Sequence, residues 1–348
     1  SFSFAASYAG TSNAASHPLT NGRHFLVGVR PAAEGAPSAT VVDLSKLTGL
    51  TSVILGDGVG SGNTATVSGL ATGGTVTLAG DLTNNDGAVT ATLTTNSSAD
   101  ALNLVINGDL ADNEDGTAGV NDITVTLSAA QIENLTVTAT ATETGTPTDP
   151  DGDGNNYELV LTDNLLQTLT IKGDNGLTFA TAATQLSLNT IDASANTGGV
   201  SIDASSTDTA ANGAALLTIK GSAAADYVVG SQNDDVIYGN AGNDQIDGGA
   251  GADKLYGGDG KDVILGGAGA DTIDGGLGND KITGGTGADT LTGGGGRDVF
   301  IAAAGDSAAS TTGLDKVTDF GKVTTAVTAT ENGNMGSVSA FQSSTTGK

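Results

Sequence analysis

Residues 248–274 read GGAGADKLY (248–256), GGDGKDVIL (257–265) and GGAGADTID (266–274), three phrases of nine in which Gly and Asp return to fixed places. Extended in both directions, the period runs unbroken from Gly221 to Ile301. Position six is always Asp: Asp226, Asp235, Asp244, Asp253, Asp262, Asp271, Asp280, Asp289 and Asp298. Position eight is always apolar: Val228, Ile237, Ile246, Leu255, Ile264, Ile273, Ile282, Leu291 and Phe300. Repeats from Gly239 onward keep glycine at positions one and four, whereas the two leading repeats, GSAAADYVV and GSQNDDVIY, have lost most of theirs and read as a transition.

Nine residues are too few for a helical hairpin but suit a six-residue turn followed by a three-residue strand. Two repeats then make one coil of 18, with strands stacking at about 4.7–4.9 Å into two parallel sheets that face each other through position eight. Such a core is one residue thick. Glycines at positions one, two and four supply positive φ and close backbone approach: Gly239, Gly242, Gly248, Gly249, Gly251, Gly257, Gly258, Gly260, Gly266, Gly267, Gly269, Gly275, Gly276, Gly278, Gly284, Gly285 and Gly287. Repeats two apart share a side, which gathers the aspartates into two columns. Carboxylates about 5 Å apart repel unless a cation lies between them. A hard cation that takes oxygen ligands, carboxylate and turn carbonyl together, describes Ca²⁺ better than Mg²⁺, and zinc would want the His or Cys that the repeats lack. The column from Asp226 has four gaps and the column from Asp235 three, which allows at most about seven inter-turn ions. Asp226, in a glycine-poor repeat, is the weaker ligand.

GGAGADKLY, GGDGKDVIL, GGAGADTID, GGLGNDKIT and GGTGADTLT resemble the GGxGxDxUx repeats of the RTX (repeats-in-toxin) family. The resemblance implies a parallel β-roll that folds on binding calcium and export by type I secretion from a Gram-negative bacterium. RDVFIAAAGDSAASTTGLDKVTDFG (297–321) is similar to the segment that closes such rolls, but GKVTTAVTATENG then replaces the acidic, apolar continuation usual after "DF". LNTIDASANTGGVSIDASS is similar in style to RTX-bearing surface-layer and large adhesin proteins.

Upstream, residues 38–220 carry Thr- and Val-rich runs that end in Gly, Asn or Asp, such as LTSVILGDG, GTVTLAGD and QTLTIKGDNG. Their period of two predicts half-buried strands, hence an all-β chain with a β-solenoid or stacked β-sheet domain ahead of the roll. SAAQIENL and TDNLLQTL are the nearest approaches to a helix, and each leads straight into a strand. Residues 1–37 form an N-terminal arm that holds His17, His24, Arg23 and Arg30, suited to contact between subunits. Residues 302–348 form the closing segment and tail.

Composition agrees with a thin, turn-dense fold. Glycine supplies 54 of 348 residues, only 3% are aromatic, and there is no Trp. The average protein has ~7% glycine. The net charge of -27 disfavours nucleic acid and anionic membranes and favours cations. With no Cys there is no disulfide framework and no thiolate site. No run approaches the ~18 apolar residues that span a bilayer, and the first 34 residues lack a secretory signal pattern. Ser1 in place of Met reads as processing or trimming.

Asp149, Asp151 and Asp153 in DPDGDGNNYE match the first half of a calcium loop, but Val160 stands where an EF-hand needs Glu. A calcium loop of another kind and a solvated acidic turn both remain open readings. Asp112, Glu114 and Asp115 fit a solvated turn better. Thr-x-Thr runs are good strand sequence before they are an ice-binding ladder. His17 and His24 fit an interface better than a metal or anion site. HExxH, GxSxG and P-loop motifs are missing, and no His follows residue 24, so the expectation is a non-enzymatic protein.

These readings combine into a secreted, calcium-binding structural protein, extracellular or on the cell surface, that self-assembles into a surface layer or filament. Its expected partners are copies of itself, with cell-surface polysaccharide a further candidate. The alternative is a fragment of a type I secreted adhesin or hydrolase whose active module lies elsewhere.

Overall fold

The structure is a computed structural model that describes residues 23–28, 41–42, 50–56, 64–81, 88–93, 99–109, 123–128, 132–141, 156–161, 165–180, 187–205, 216–302 and 315–319. Among these residues there is no helix and every strand pairing is parallel, so the all-β solenoid expectation is met. The chain divides into two compact units: residues 1–188 with 196–198, and residues 189–195 with 199–348.

In the first unit, one sheet runs in the order Arg23–Gly28, Leu50–Gly56, Gly74–Asp81, Ala101–Asp109, Asn134–Ala141, Thr168–Gly173. The opposing sheet runs Val41–Val42, Thr64–Leu70, Ala88–Leu93, Ile123–Ser128, Asn156–Leu161, Gly176–Ala180. Alternate strands belong to alternate sheets, which is the connectivity of a coil. Alternation of apolar residues with Thr or Asn sets the faces: Leu102, Leu104 and Ile106 are buried while Asn103 and Val105 between them are half-buried. Register keeps like with like, as Val76 pairs with Leu104, Leu104 with Val137 and Val137 with Ile171. Both helix-like stretches enter strands: Ile132 and Leu166 are buried just before Asn134–Ala141 and Thr168–Gly173.

The second unit has the shorter, regular coil. One sheet orders Thr190–Asn196, Thr218–Lys220, Val236–Ala241, Lys254–Gly260, Thr272–Gly278, Thr290–Thr292 and Lys316–Val317, with Gly295–Gly296 pairing the Thr272–Gly278 strand. The other orders Val200–Asp203, Tyr227–Val229, Gln245–Asp247, Val263–Ala268, Lys281–Thr286 and Val299–Ile301. Two single files face inward. Ile219, Ile237, Leu255, Ile273, Leu291 and Val317 come from one sheet, and Ile202, Val228, Ile246, Ile264, Ile282 and Phe300 from the other, all buried and in register.

Four strands of the glycine-rich repeats, Lys254–Gly260, Val263–Ala268, Thr272–Gly278 and Lys281–Thr286, exceed the expected three residues because the ladder continues into the turn. Gly258, Asp259 and Gly260 pair with Gly276, Leu277 and Gly278. The continuation needs bare α-carbons: at Gly260 (φ 152°) and Gly278 (φ 148°) a Cβ would collide with the carbonyl oxygen of the coil before, that of Gly242 and of Gly260 respectively. On the outer face Tyr238 stacks on Tyr256, with ring centroids 4.9 Å apart and planes 8° from parallel.

Ile264 is buried and its neighbour Val263 is 43% exposed. Ile264→Ala should therefore cost about 2–5 kcal/mol by leaving a cavity in a core with no second layer, and Val263→Ala less than about 0.5 kcal/mol. Urea unfolding in saturating calcium measures both, and equal costs would contradict the single-file core.

Candidate metal centre

Each position-six aspartate stands at the entry to its strand and is drawn inward there. Asp226 is 4% exposed, Asp244 and Asp298 are 0%, and Asp235, Asp253, Asp262, Asp271, Asp280 and Asp289 are 1%. The structure gathers them into the two columns that the spacing predicts. In the first, the amides of Asp226, Asp244, Asp262 and Asp280 donate to Oδ1 of Asp244, Asp262, Asp280 and Asp298 at 2.9, 2.9, 3.0 and 3.2 Å. In the second, Asp235, Asp253 and Asp271 donate to Oδ1 of Asp253, Asp271 and Asp289 at 2.8, 2.9 and 2.9 Å. Each carbonyl along the columns takes the amide of the residue that opens the strand one coil later, as Val263 donates to Asp244 at 2.8 Å. One carboxylate oxygen thus clamps successive coils, a structural duty that spacing alone does not reveal.

The other oxygen is left over. Oδ2 of Asp244, Asp253, Asp262, Asp271, Asp280 and Asp298 is buried without a hydrogen bond, a costly state for a polar atom and more so for a charged one. Position-one glycine explains how it fits. These glycines are not in the positive-φ region, unlike those at positions two and four, so their role is space rather than backbone freedom. A Cβ at Gly275 would lie 2.7 Å from both Asp280 Oδ2 and the carbonyl oxygen of Gly293. The same pair of oxygens, own-repeat carboxylate and next-coil carbonyl, converges on Gly239, Gly248, Gly257 and Gly266. Among the described residues no three His, Cys, Asp or Glu side chains form a cluster, so the donor set is carboxylate plus backbone carbonyl. An orphaned buried carboxylate oxygen beside a carbonyl, with no nitrogen or sulfur donor, fits a hard oxygen-seeking cation such as Ca²⁺. When bound, the cation supplies positive charge and coordination to these oxygens; the chain supplies their alignment and the exclusion of water.

Burial dominates the electrostatics. It pushes the carboxyl of Asp253 up to about 8, Asp244 to about 7, and Asp235 and Asp280 to about 6, and raises Asp226, Asp262 and Asp271. Carboxylates one coil away add to the rise at Asp244, Asp253 and Asp280.

Three features lay beyond the sequence reading. Asp289 donates its amide to Oδ1 of Asp315 at 3.2 Å, across a separation of 26 residues rather than 18, so Asp315 extends the second column from within the closing segment. Asp319 then caps the amides of Gly293 and Gly294 at 3.1 and 2.7 Å. LDKVTDF is the signal, since its aspartates flank a strand pair as position six does, but the longer separation hides the register. At position five, Asp234, Asn243 and Asn279 accept the amides of Ala252, Lys261 and Arg297 at 2.7, 2.8 and 2.9 Å. Finally, Ser222 and Ser231 donate to the carboxylates of Asp226 and Asp235. Asp149, Asp151, Asp153, Asp112, Glu114, Asp115 and His17 lie outside the described residues, as does the side chain of His24. No helix among the described residues is long and apolar enough to cross a membrane.

The raised values set the pH dependence. From the ordinary carboxylate value of 3.8 up to about 8, the cation-free roll holds protons that the unfolded chain has released, so its stability falls as pH rises through that window. In chelator, β-structure by circular dichroism should be lost between about pH 4 and pH 8; with calcium the dependence reverses, because coordination needs the ionised carboxylate. Calcium titrations at Asp262 separate its two oxygens. Asp262→Asn keeps an acceptor for Asp244 and should raise the calcium midpoint while full β-structure returns at saturation. Asp262→Ala should lose a further ~1–3 kcal/mol of stability even at saturation.

The family described as the RTX calcium-binding nonapeptide repeat (4 copies) matches residues 220–255, 247–282 and 274–307. No curated protein matches the chain. Such repeats are typical of secreted proteins of Gram-negative bacteria. The stacked aspartate columns and the family match agree: residues 220–307 are RTX calcium-binding nonapeptide repeats, and those of them that the structure describes, 220–302, fold as a parallel β-roll.

Proposed function

We propose that this is a secreted, non-enzymatic structural protein that folds on meeting calcium outside the cell and then self-assembles into a surface layer or extracellular filament. The observation that carries the reading is the ladder of buried Oδ2 atoms left without hydrogen bonds at Asp244, Asp253, Asp262, Asp271, Asp280 and Asp298. A fold that buries these groups is poorly stable at neutral pH until a cation meets them. Where calcium is scarce the stack from Asp244 onward stays open, in a chain whose net charge of -27 opposes its collapse. Where it is plentiful, binding stabilises the folded state by mass action. A parallel stack also ends in rungs whose outward backbone groups can pair with another copy, which makes a second copy of the chain the first partner to test and cell-surface polysaccharide the next. The same charge sets nucleic acid aside as a partner.

Electron microscopy of the purified chain with and without calcium tests this directly. Ordered sheets or filaments should form only with calcium. Equal β-content with and without chelator would overturn the coupling of folding to calcium. A chain that folds with calcium yet stays monomeric at every concentration would favour a carrier module of a larger secreted adhesin or hydrolase.

A further inference from the structure

The two leading repeats put Asp226 and Asp235 in the same columns as the rest, yet their carboxylates are in a different chemical state. Oδ2 of Asp226 accepts the Ser222 amide at 2.6 Å, and Oδ1 accepts both the Ser222 hydroxyl at 2.7 Å and the Val200 amide at 2.8 Å. Asp235 repeats the pattern: Oδ2 accepts the Ser231 amide at 2.6 Å, while Oδ1 accepts the Ser231 hydroxyl at 3.1 Å and the Leu217 amide at 3.3 Å. Each serine oxygen also takes an amide of its own turn, from Ala224 at 3.0 Å and Asn233 at 3.1 Å. Both serines are themselves buried. Neither aspartate has an orphaned oxygen, whereas six of those downstream do.

Backbone handedness separates the same two groups independently. Position two has positive φ at Asn240 (77°), Gly249 (93°), Gly258 (108°), Gly267 (104°), Gly276 (98°), Gly285 (99°) and Gly294 (88°), but not at Ser222 or Ser231. Position four follows suit, positive from Gly242 onward and not at Ala224 or Asn233. In the serine turns the position-two amide is therefore placed to donate to its own aspartate. In the turns of opposite hand the Oδ2 atoms are left without that donor. A carboxylate whose oxygens face three N–H or O–H donors has little left to offer a cation, and those donors would direct positive hydrogens at the incoming charge.

We infer that the residue at position two decides which turns take up calcium: Ser222 and Ser231 close their turns by hydrogen bonding, so the first two rungs of the roll fold without an ion and template the calcium-dependent stack that begins at Asp244. The inference rests on the calcium reading of the downstream columns. Asn240 shows that the rule concerns conformation and not glycine as such, since it holds positive φ and its repeat leaves Asp244 Oδ2 free of hydrogen bonds.

Calcium bound per full-length chain, measured by atomic emission after equilibrium dialysis against calcium chloride, tests the rule by gain. Ser222→Gly/Ser231→Gly should bind two more ions than the parent, one for each turn released. Hydrogen exchange of the parent in chelator provides the second measurement, informative even where the variant does not fold. The amides of Val200, Leu217, Ser222 and Ser231 should exchange at least about tenfold more slowly than those of Asp244 and Asp262. Unchanged ion number in a folded variant, or equally fast exchange at all of these amides, would overturn the inference while leaving calcium binding intact. A parent chain that binds no calcium would overturn both.

Discussion

A hydrogen bond from the backbone amide of one aspartate to the side chain of the aspartate one coil further on holds the roll in register. It works because a carboxylate has two oxygens and the chain uses only one of them. At Asp244, Asp253, Asp262, Asp271, Asp280 and Asp298, Oδ1 joins coils, while Oδ2 is carried into the interior by the same geometry and stays there without a donor. Fixing the clamp therefore creates the site. Glycine at position one is demanded by the same arrangement, since a methyl group there would occupy the space that the second oxygen needs. The feature that holds neighbouring coils together and the feature that makes them depend on a cation are two ends of one functional group.

The first unit shows what the device does in richer surroundings. There the amide of Asp100 donates to Oε2 of Glu133 at 2.8 Å, across 33 residues, again at the entry to a strand. Ala101 likewise donates to the hydroxyl of Thr72 at 3.0 Å. Each of those coils buries several large side chains, with Leu102, Leu104 and Ile106 in one strand and Tyr157, Leu159 and Leu161 in another. A buried Leu or Ile contributes about 1.5–3 kcal/mol, while fixing each residue's backbone costs about 1–2 kcal/mol. A strand with three inward side chains has far more to set against that cost than a nonapeptide with one. On the proposed function, the roll is thus the part of the molecule in which calcium decides whether folding proceeds.

Much of this was legible in residues 221–301. Unbroken recurrence of Asp at position six and of an aliphatic or aromatic residue at position eight dictates an 18-residue coil, two columns and a single-file core, and all three are present. The upstream solenoid was legible in its alternation but not in its register, because its coils vary in length: Ser52 pairs with Thr75, and Asn134 with Thr168. Less visible were the interactions that depend on backbone hand. Ser222 and Ser231 read as eroded glycines, though their hydroxyls engage the aspartates that the lost glycines would have left exposed to a cation. Asp315 escaped notice for a different reason, since a register jump of 26 breaks the period that makes the other members of its column easy to find. Pattern reading succeeds where the physical constraint repeats and falters where one local substitution reverses a turn.

Pairing between residues 18 apart also sets how such a chain can change length. Loss or gain of a whole coil leaves every remaining residue on its own side, and the roll merely grows or shrinks by one strand spacing of about 4.8 Å. Loss or gain of a single nonapeptide, though it preserves the motif, would exchange the two columns beyond that point. Asp315 and Asp319 would change side together with the Asp289 turn and the amides of Gly293 and Gly294 that they meet, because all of them lie within one short stretch of chain. The closing segment is therefore tied to the last coil and not to the number of repeats, so one cap serves a roll of any length.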